Sequence, residues 1–419
     1  MSKPKSVLIF GGGIIGLCTA FYASRKGHRI TIVERGAADH DSCALGSAGM
    51  IVPSHFIPLA APGMVAMGLR MMWQPQSPFY IRPRLSRELL QWCWRFFRAA
   101  NDAHVARSAP LLRDLGLATR HCFEELSGSL GQDFGLVKKG LLMLCKSEQR
   151  LEEEVRTAEL ASELGIVAQI LTPADTAKIE PALRMDIAGA VYFPQDCHLT
   201  PQRLMAALTR SLEKSGALFC WATRLTGWRT KAGRIEAAET ERGELSADEY
   251  VLACGSWSSQ LLRGLRVRLP MQAGKGYSIT LPQPKRMPQI CSILAEARVA
   301  VTPMDSGLRF GGTMELAGLD ESINLNRVKG LVGSIQQYFP EIGPEDFCDL
   351  AAWCGLRPCS PDGLPYLGRI ARYQNLSVTT GHGMMGLSLG PISGKLMAQI
   401  LSDEKPAIDL HLLSPERYG

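Results

Sequence analysis

The chain has 419 residues, of which 46% are hydrophobic and 21% are charged, and its formal net charge is +6. This composition excludes a disordered chain and a coiled coil, and the length predicts two or three domains. No apolar run reaches the roughly 18 residues that a membrane-spanning helix needs. The apolar stretch Val7–Phe10 breaks into glycines at once, so we expect no signal peptide.

The first 35 residues have the pattern of a nucleotide-binding unit. A short apolar strand is predicted at Ser6–Phe10, a helix follows the glycines and runs to Lys26, and a second strand is predicted at Arg29–Val33. Glu34 ends that strand, 23 residues after the first glycine of the loop, where its carboxylate can accept hydrogen bonds from a ribose diol. The glycines that allow the tight turn and the close approach of a pyrophosphate are Gly11, Gly13 and Gly16.

The segment Arg70–Arg98 is basic, because six arginines and one glutamate give it a local excess of +5. It also holds three of the seven tryptophans, Trp73, Trp92 and Trp94. Its second half, 86–101, has the apolar spacing of an amphipathic helix. Such a segment suits either a domain surface, where arginine stems cover apolar neighbours, or an anionic membrane surface.

The middle of the chain alternates predicted helices and strands, which favours an α/β organisation. Helices are predicted over Ser147–Gly165 and from the Thr200–Pro201 pair to Gly216, and a strand is predicted over Tyr250–Ala253. From about Pro270 to Met314, short alternating runs broken by glycine and proline predict a mainly antiparallel sheet.

The twelve cysteines indicate the redox compartment. None of them forms a C-x-x-C pair, and the closest spacings, among Cys348, Cys354 and Cys359, match no zinc or iron–sulfur pattern. We therefore expect free thiols in a reducing cytoplasm and no metal site.

A second strand–glycine loop–helix pattern lies in the C-terminal quarter. The strand is predicted at Leu376–Thr379, the loop at Gly381–Gly386 and the helix at Pro391–Leu401. Two such loops cannot both hold one pyrophosphate. Because a helix N-terminus stabilises negative charge, the second loop suits an electron-accepting ring.

Taken together, these residues resemble the FAD-dependent D-amino-acid dehydrogenase and glycine oxidase (DAO) family over essentially the full chain. The stretch from Ser77 to Trp94 is most similar to the dehydrogenase branch, and Pro53–Pro62 resembles bacterial D-hydroxyproline dehydrogenases. The motifs that carry the resemblance are Gly11–Gly16 with Glu34–Arg35, Ser47–Gly49, Ala253–Trp257, Gly311–Thr313, Trp353–Pro358, and Gly381–Gly383 with Pro391.

The resemblance implies an α/β fold in which a Rossmann-like FAD-binding domain is interleaved with an α+β substrate domain. The substrate domain is expected to be built on the mainly antiparallel sheet. The boundaries that we predict are 1–56, 195–265 and 353–419 for the FAD-binding domain, and 57–194 and 266–352 for the substrate or cap domain.

The resemblance also implies which residues hold FAD. The first glycine loop and its acid would hold the ADP half, and residues 43–50 would line the pyrophosphate and the flavin. The backbone of Leu225 would meet the adenine, and the loop 382–388 would wrap the pyrimidine edge of the flavin. The expected FAD-binding residues are Gly11, Gly13, Ile14, Ile15, Gly16, Glu34, Arg35, Cys43, Ala44, Ser47, Ala48, Gly49, Met50, Leu225, Ala253, Gly255, His382, Gly383, Met384, Met385, Gly386, Leu387 and Ser388.

For the substrate, Arg357 falls on the arginine that grips the substrate carboxylate in this family, through two parallel N–H bonds. Tyr277 and His55 are further candidates to touch the substrate or the flavin, and a packed, internally hydrogen-bonded side chain is the alternative for each.

Two departures separate the chain from the glycine oxidases. Met384 replaces their second arginine, and Val299–Val301 offers no equivalent of their substrate-contacting tyrosine. The pocket is therefore expected to be more apolar, which favours a larger or ring-bearing amino acid.

The predicted function is the FAD-dependent oxidation of a D-amino acid or of a cyclic imino acid such as D-hydroxyproline or D-proline, with hydride transfer from Cα to flavin N5. The alternatives are a glycine or sarcosine oxidase that uses oxygen, and a flavin subunit of a larger dehydrogenase complex whose partners dock on Arg70–Arg98.

The expected acceptor is a quinone of the respiratory chain or oxygen. The expected location is the cytoplasm or the inner face of the membrane. A single short basic segment without an RNA-binding motif excludes a nucleic-acid partner.

Overall fold

The structure is a computed structural model that describes residues 3–72, 74–130 and 134–418, so Trp73 lies outside the described residues. The strands are β1 Ser6–Phe10, β2 Arg29–Val33, β3 Met50–Ile51, β4 Phe79–Ile81, β5 Leu141–Cys145, β6 Gln169–Leu171, β7 Gly189–Phe193, β8 Cys197–His198, β9 Leu218–Cys220, β10 Leu225–Lys231, β11 Arg234–Thr240, β12 Gly243–Leu245, β13 Glu249–Leu252, β14 Gln272–Leu281, β15 Cys291–Leu294, β16 Val299–Met304, β17 Gly307–Leu316, β18 Trp353–Cys359, β19 Tyr366–Arg369 and β20 Leu376–Thr380. The α-helices are α1 Ile14–Arg25, α2 Met64–Met72, α3 Arg87–Ala99, α4 Asp102–Ser129, α5 Glu148–Glu163, α6 Pro173–Ile179, α7 Pro201–Lys214, α8 Ser258–Leu261, α9 Leu325–Tyr338 and α10 Gly386–Leu401.

The first layer is a six-stranded sheet in the order β19-β20-β13-β1-β2-β9. All of its pairs are parallel except β19 with β20. The predicted bounds of the first two strands are confirmed, and Gly27, with φ +86°, ends the helix between them in the left-handed region that glycine favours. A three-stranded antiparallel sheet, β10-β11-β12, follows between β9 and β13 in the chain.

The second layer is a nine-stranded sheet in the order β18-β14-β17-β16-β15-β5-β7-β6, with β4 paired to β17. Six of its pairs are antiparallel and two, β15 with β5 and β17 with β4, are parallel, so the prediction of a mainly antiparallel sheet is confirmed. Helix α9 packs the buried Leu331, Ile335 and Tyr338 into the core beside this sheet. The predicted domain boundaries remain a prediction; strand β18 forms the edge of this second sheet.

Helices α1 and α10 cross at very short range, and this crossing positions both glycine loops. A Cβ atom on Gly394 would lie 2.5 Å from the carbonyl carbon of Cys18, and one on Gly390 would lie 3.2 Å from Cγ1 of Ile14. Because only glycine leaves room there, the N-termini of the two helices are brought to the same end of the six-stranded sheet.

The predicted start of α10 was wrong. The sequence placed it at Pro391, but the helix begins five residues earlier, at Gly386, and Pro391 lies inside it. A proline in the first helical turn is a common start signal because its missing N–H is not needed there. Here the proline sits in the second turn, where the pattern is misleading.

The other predicted helices form close to their expected bounds. The side chains of Ser86 and Ser147 accept hydrogen bonds from the backbone N–H groups of Leu89 and Arg150, which caps α3 and α5. Thr200 precedes Pro201 at the start of α7 but makes no side-chain cap.

Several absences hold for residues 3–72, 74–130 and 134–418. No helix in these ranges combines the length and the apolar character needed to cross a bilayer. No group of three or more His, Cys, Asp or Glu side chains in them is arranged to hold a metal ion.

All twelve cysteines are free. Burial raises the pKa of the Cys43 thiol to about 11, so this thiol stays protonated.

Candidate active site

One large cavity, of about 1430 Å³, lies where the two sheets meet. Its walls come from the ends of β1, β13 and β20 in the first sheet and from β14, β17 and β18 in the second. A pocket for a drug-sized ligand occupies roughly 300–1,000 Å³. The cavity therefore has room for a dinucleotide and a small substrate together.

The first glycine loop brings main-chain atoms to the cavity wall. Gly11 has φ +109°, and a Cβ atom there would lie 2.5 Å from the carbonyl oxygen of Ala253. A Cβ atom on Gly16 would lie 1.9 Å from the carbonyl oxygen of Gly11. Gly16 thus holds α1 against the loop from behind, and it is the one predicted FAD residue that does not line the cavity.

Glu34 is buried and ties the first loop to its neighbours. One carboxylate oxygen accepts a hydrogen bond from the N–H of Gly12 at 2.7 Å and the other accepts from the N–H of Gly36 at 2.8 Å. Each oxygen has a second lone pair, so both can still accept from a ribose diol. Beside it, the guanidinium of Arg35 lies 3.6 Å from the ring centroid of Trp257, a cation–π contact that closes this end of the cavity.

The second glycine loop presents a buried histidine. His382 Nε2 lies 2.9 Å from Ser393 Oγ, while Nδ1 has no hydrogen-bond partner among the described residues. Burial lowers the pKa of His382 to about 3, so the ring is neutral at physiological pH. No side chain caps the N-terminus of α10, which leaves its first backbone N–H groups available to a ligand.

Arg357 is positioned by the second sheet. A Cβ atom on Gly276 would lie 2.1 Å from both Nη atoms of Arg357, so the guanidinium lies directly over this glycine. Arg357 Nη1 donates to the carbonyl oxygen of Thr313 at 2.6 Å.

Thr313 has φ +69°, a strained value for a β-branched residue. It sits in an irregularity of the β14–β17 ladder, where pairing steps from Lys275↔Glu315 to Tyr277↔Gly312. This bulge places one extra residue in β17 and turns the Thr313 carbonyl toward the arginine. The bulge thus presents the carbonyl that accepts a hydrogen bond from Arg357.

The other two predicted substrate residues both line the cavity. The Tyr277 hydroxyl donates to Glu315 Oε2 at 2.7 Å and accepts from the backbone N–H of Asn324 at 3.2 Å; burial and this carboxylate raise its pKa. His55 is held at Nδ1 by Ser54 Oγ at 3.2 Å, and burial lowers its pKa to about 4. Tyr277 is therefore committed to internal partners, whereas His55 keeps Nε2 available.

The cavity brings together every predicted site residue except Gly16. The roles assigned to these residues stay predictions. Sequence reasoning missed Arg298, Arg150 and the methionines of α2, which also line the cavity. The sequence carries one signal for Arg298, a single cation in the otherwise apolar stretch 290–301 beside Glu296.

Comparisons with known proteins agree with this geometry. The sequence profile of the DAO family, described as FAD-dependent oxidoreductases, matches residues 6–400. The chain is 32% identical over 421 aligned positions to a D-amino acid dehydrogenase of Granulibacter bethesdensis, covering 99% of each chain. It is 31% identical to a D-amino acid dehydrogenase of Agrobacterium fabrum, covering 99% of this chain and 100% of the relative.

Solved structures share the fold. Glycine oxidase from Geobacillus kaustophilus superposes with a TM-score of 0.78 at 24% identity, covering 99% of both chains. L-proline dehydrogenase from P. horikoshii superposes with a TM-score of 0.72 at 16% identity, covering 100% of this chain and 98% of that one.

The residues of the cavity fit FAD. The first loop offers close main-chain approach for a pyrophosphate at the N-terminus of α1, and Glu34 offers acceptors for a ribose. At the other end, His382 Nδ1 and Thr379 Oγ1 are buried at the cavity wall and have no hydrogen-bond partner among the described residues, so a polar ligand could satisfy them. A dinucleotide whose second half is a polar, electron-accepting ring satisfies both ends.

Proposed function

This chain belongs to the DAO family of FAD-dependent oxidoreductases, and we propose that it dehydrogenates a D-amino acid or a cyclic imino acid such as D-hydroxyproline or D-proline. The observation that carries the proposal is the position of Arg357, which lines the same cavity as the α10 N-terminus. Its guanidinium is oriented by the hydrogen bond to the Thr313 carbonyl and by packing over Gly276. The names of the relatives support the D configuration.

The chain's own residues would contribute mainly by positioning. Arg357 binds the substrate carboxylate through two parallel N–H bonds and so fixes the direction of the Cα–H bond. The substrate amine reacts in its neutral form, so no strong base is required. The site agrees with this, because Tyr277 is bound to Glu315 and burial lowers the pKa of His55 to about 4, which makes its imidazole a weak base. FAD, when bound, would accept the hydride and its two electrons from Cα. The neutral amine would thereby become an iminium, which loses an N–H proton to water to give the imine.

The test is anaerobic reduction of the flavin in the purified holoprotein by a panel of amino acids. The panel holds both enantiomers of proline, the 4-hydroxyproline isomers, several acyclic D- and L-amino acids, glycine and sarcosine. We expect rapid bleaching of the flavin band near 450 nm by at least one D-amino or cyclic imino acid. Bound flavin that no member reduces would overturn the proposal and leave the subunit of a larger complex as the leading alternative.

Re-aeration of the reduced protein separates a dehydrogenase from an oxidase. A dehydrogenase regains its oxidised spectrum slowly in air, whereas an oxidase regains it at once and releases peroxide. Rapid recovery with glycine or sarcosine as the preferred substrate would favour the oxygen-using alternative.

We propose a membrane quinone as the electron acceptor, reached from an anionic lipid surface. Helix α3 exposes an apolar face at helical spacing, with Leu90, Trp94 and Phe97 exposed to 65%, 60% and 59%. The exposed Arg87 and Arg98 flank that face. Phe97 also lines the cavity, so the surface is continuous with the site. An exposed apolar face bordered by arginines suits anionic lipid, because the apolar side chains can enter the membrane interface while the arginines attract the head groups.

Vesicle sedimentation tests this surface. The holoprotein should bind vesicles containing phosphatidylglycerol and not vesicles of phosphatidylcholine alone, and Trp94→Ser should weaken the binding several-fold. Leu218→Ser is the matched control, because Leu218 is also an exposed apolar residue, at 64%, but lies on β9 and not on α3. Equal binding by wild type and Trp94→Ser would contradict the lipid surface and favour a protein partner or oxygen.

A further inference from the structure

Besides Arg357, Arg298 is another cationic residue of the cavity wall. It lies in the turn between β15 and β16 with φ +54°, an unusual conformation for a residue other than glycine. Arg298 lines the cavity, and Nη2 of its guanidinium donates to the sulfur of Met67 at 2.9 Å. Within the described ranges this sulfur is its one hydrogen-bond partner, and no carboxylate lies within 4.0 Å of its nitrogens.

A thioether sulfur is a weak acceptor, and a guanidinium has five N–H donors. The half-buried Arg298 therefore has N–H donors that no group of the described residues accepts. Arg150 provides the contrast. It also lines the cavity, but its two Nη atoms donate to Glu153 and Glu154, and only its Nε is left without a partner among the described residues. One of the two arginines is thus paired within the protein and the other is available to a ligand.

Arg298 is anchored beside the group that orients Arg357. A Cβ atom on Gly312 would lie 3.1 Å from the carbonyl oxygen of Arg298, and the next residue, Thr313, accepts from Arg357. In the sheet, β16 is the neighbour of β17, about 4.8 Å away. Arg357 lies on β18 and reaches the Thr313 carbonyl of β17 across β14, whereas Arg298 precedes β16 on the other side of β17. Thr313 thus lies between their anchoring points.

We propose that Arg298 binds an additional oxygen-bearing group of the substrate. This group is a hydroxyl or a carboxylate on the side chain or ring, away from the α-carboxylate. This rests on the proposed function, since it needs Arg357 to hold the α-carboxylate. Arg298 would donate to that distal oxygen, and Met67 would hold the guanidinium in place in its absence. The N–H donors of Arg298 can bind a neutral hydroxyl as well as a carboxylate.

Matched substrate pairs test the proposal by stopped-flow reduction of the holoprotein. D-Proline is compared with cis-4-hydroxy-D-proline, and D-norvaline with D-glutamate, in wild type, Arg298→Met and Arg298→Lys. Arg298→Met should lower kcat/KM for the oxygen-bearing member that the enzyme uses by roughly tenfold to a hundredfold, mainly through KM. Its plain partner should change less than about threefold, and Arg298→Lys should restore part of the loss.

The control is Arg286→Met, which changes an exposed arginine outside the cavity and should leave both members of each pair unchanged. The pair that responds shows whether the distal oxygen is a hydroxyl or a carboxylate. Equal losses within both pairs, or no loss in either, would overturn the role of Arg298. If no amino acid reduces the wild-type flavin, it is the proposed function that has failed, which is a different result.

Discussion

The two strand–glycine loop–helix units end at one cavity, but they are built differently. The N-terminal loop is held by main-chain contacts: Gly16 packs on Gly11, and Glu34 accepts from two backbone N–H groups. The C-terminal loop is held by a buried neutral histidine, His382. Among the described residues, one nitrogen of this ring has no hydrogen-bond partner and no side chain caps the N-terminus of α10. The first unit is suited to hold a cofactor in place, and the second is suited to respond to the charge that appears on it.

The crossing of α1 and α10 joins the two units, and breaking it should have the largest effect. Gly394→Ala places a Cβ atom 2.5 Å from a backbone carbon of Cys18, so the helices must move apart. We expect a loss of about 3 kcal/mol or more in stability, together with most of the bound FAD. The measurements are the melting temperature and the flavin-to-protein absorbance ratio.

Gly128→Ala is the matched control for that experiment. Gly128 lies in α4, and no atom of the described residues lies within 4 Å of its Cβ position, so alanine should be neutral or slightly stabilising there. Equal melting temperatures for the two variants would show that the crossing does not position the loops.

Substitution of Arg357 should impair substrate binding and leave cofactor binding unchanged. Arg357→Ala should lower kcat/KM for amino acids by roughly a hundredfold to a thousandfold, because the carboxylate loses its charged partner. The flavin spectrum and content should stay unchanged, since both glycine loops remain intact. Loss of flavin, or unchanged kinetics, would contradict the assigned role.

Glu34 tests the N-terminal unit alone. Glu34→Ala leaves the N–H groups of Gly12 and Gly36 unpaired and removes the ribose acceptor. We expect FAD affinity to fall roughly a hundredfold, measured by fluorescence titration of the apoprotein. Glu236→Ala, at an exposed glutamate on β11, serves as the control and should leave the affinity unchanged.

His382 tests the C-terminal unit. His382→Phe keeps the shape but removes the ring nitrogens, so we expect about a tenfold loss of FAD affinity and a shift of the flavin absorbance bands. His121→Phe, at an exposed histidine of α4, should do neither. A loss as large as that of Glu34→Ala would contradict the different construction of the two ends.

Asp196 should have the smallest effect on FAD binding but a clear effect on stability. It lies outside both loops and accepts hydrogen bonds from the N–H and hydroxyl of Ser54; burial raises its pKa from 3.8 to about 7. Between about pH 4 and pH 7 the unfolded chain releases a proton that the folded chain keeps, so this carboxyl lowers stability as pH rises. Denaturant unfolding of Asp196→Asn should lack that decline, and an unchanged pH profile would contradict it.

The sequence predicts the N-terminal unit well because its signals are local. Strand, loop, helix, strand and Glu34 follow one another within 34 residues, and their bounds agree with the structure. The α10 start was misplaced because Pro391 imitates a helix start signal. Arg298 was missed because its neighbours, Met67 and Gly312, are distant in sequence and only the folded sheet and α2 bring them together. Local pattern thus gives the cofactor loops, and long-range packing completes the substrate side.

The most direct test is a crystal structure of the holoprotein with FAD and pyrrole-2-carboxylate, a planar analogue of the oxidised cyclic substrate. The pyrophosphate should lie at the N-terminus of α1, with the ribose on Glu34 and the pyrimidine edge of the flavin at the N-terminus of α10. The carboxylate should pair with Arg357. A dinucleotide bound in the reverse direction, or a carboxylate that does not contact Arg357, would contradict the account.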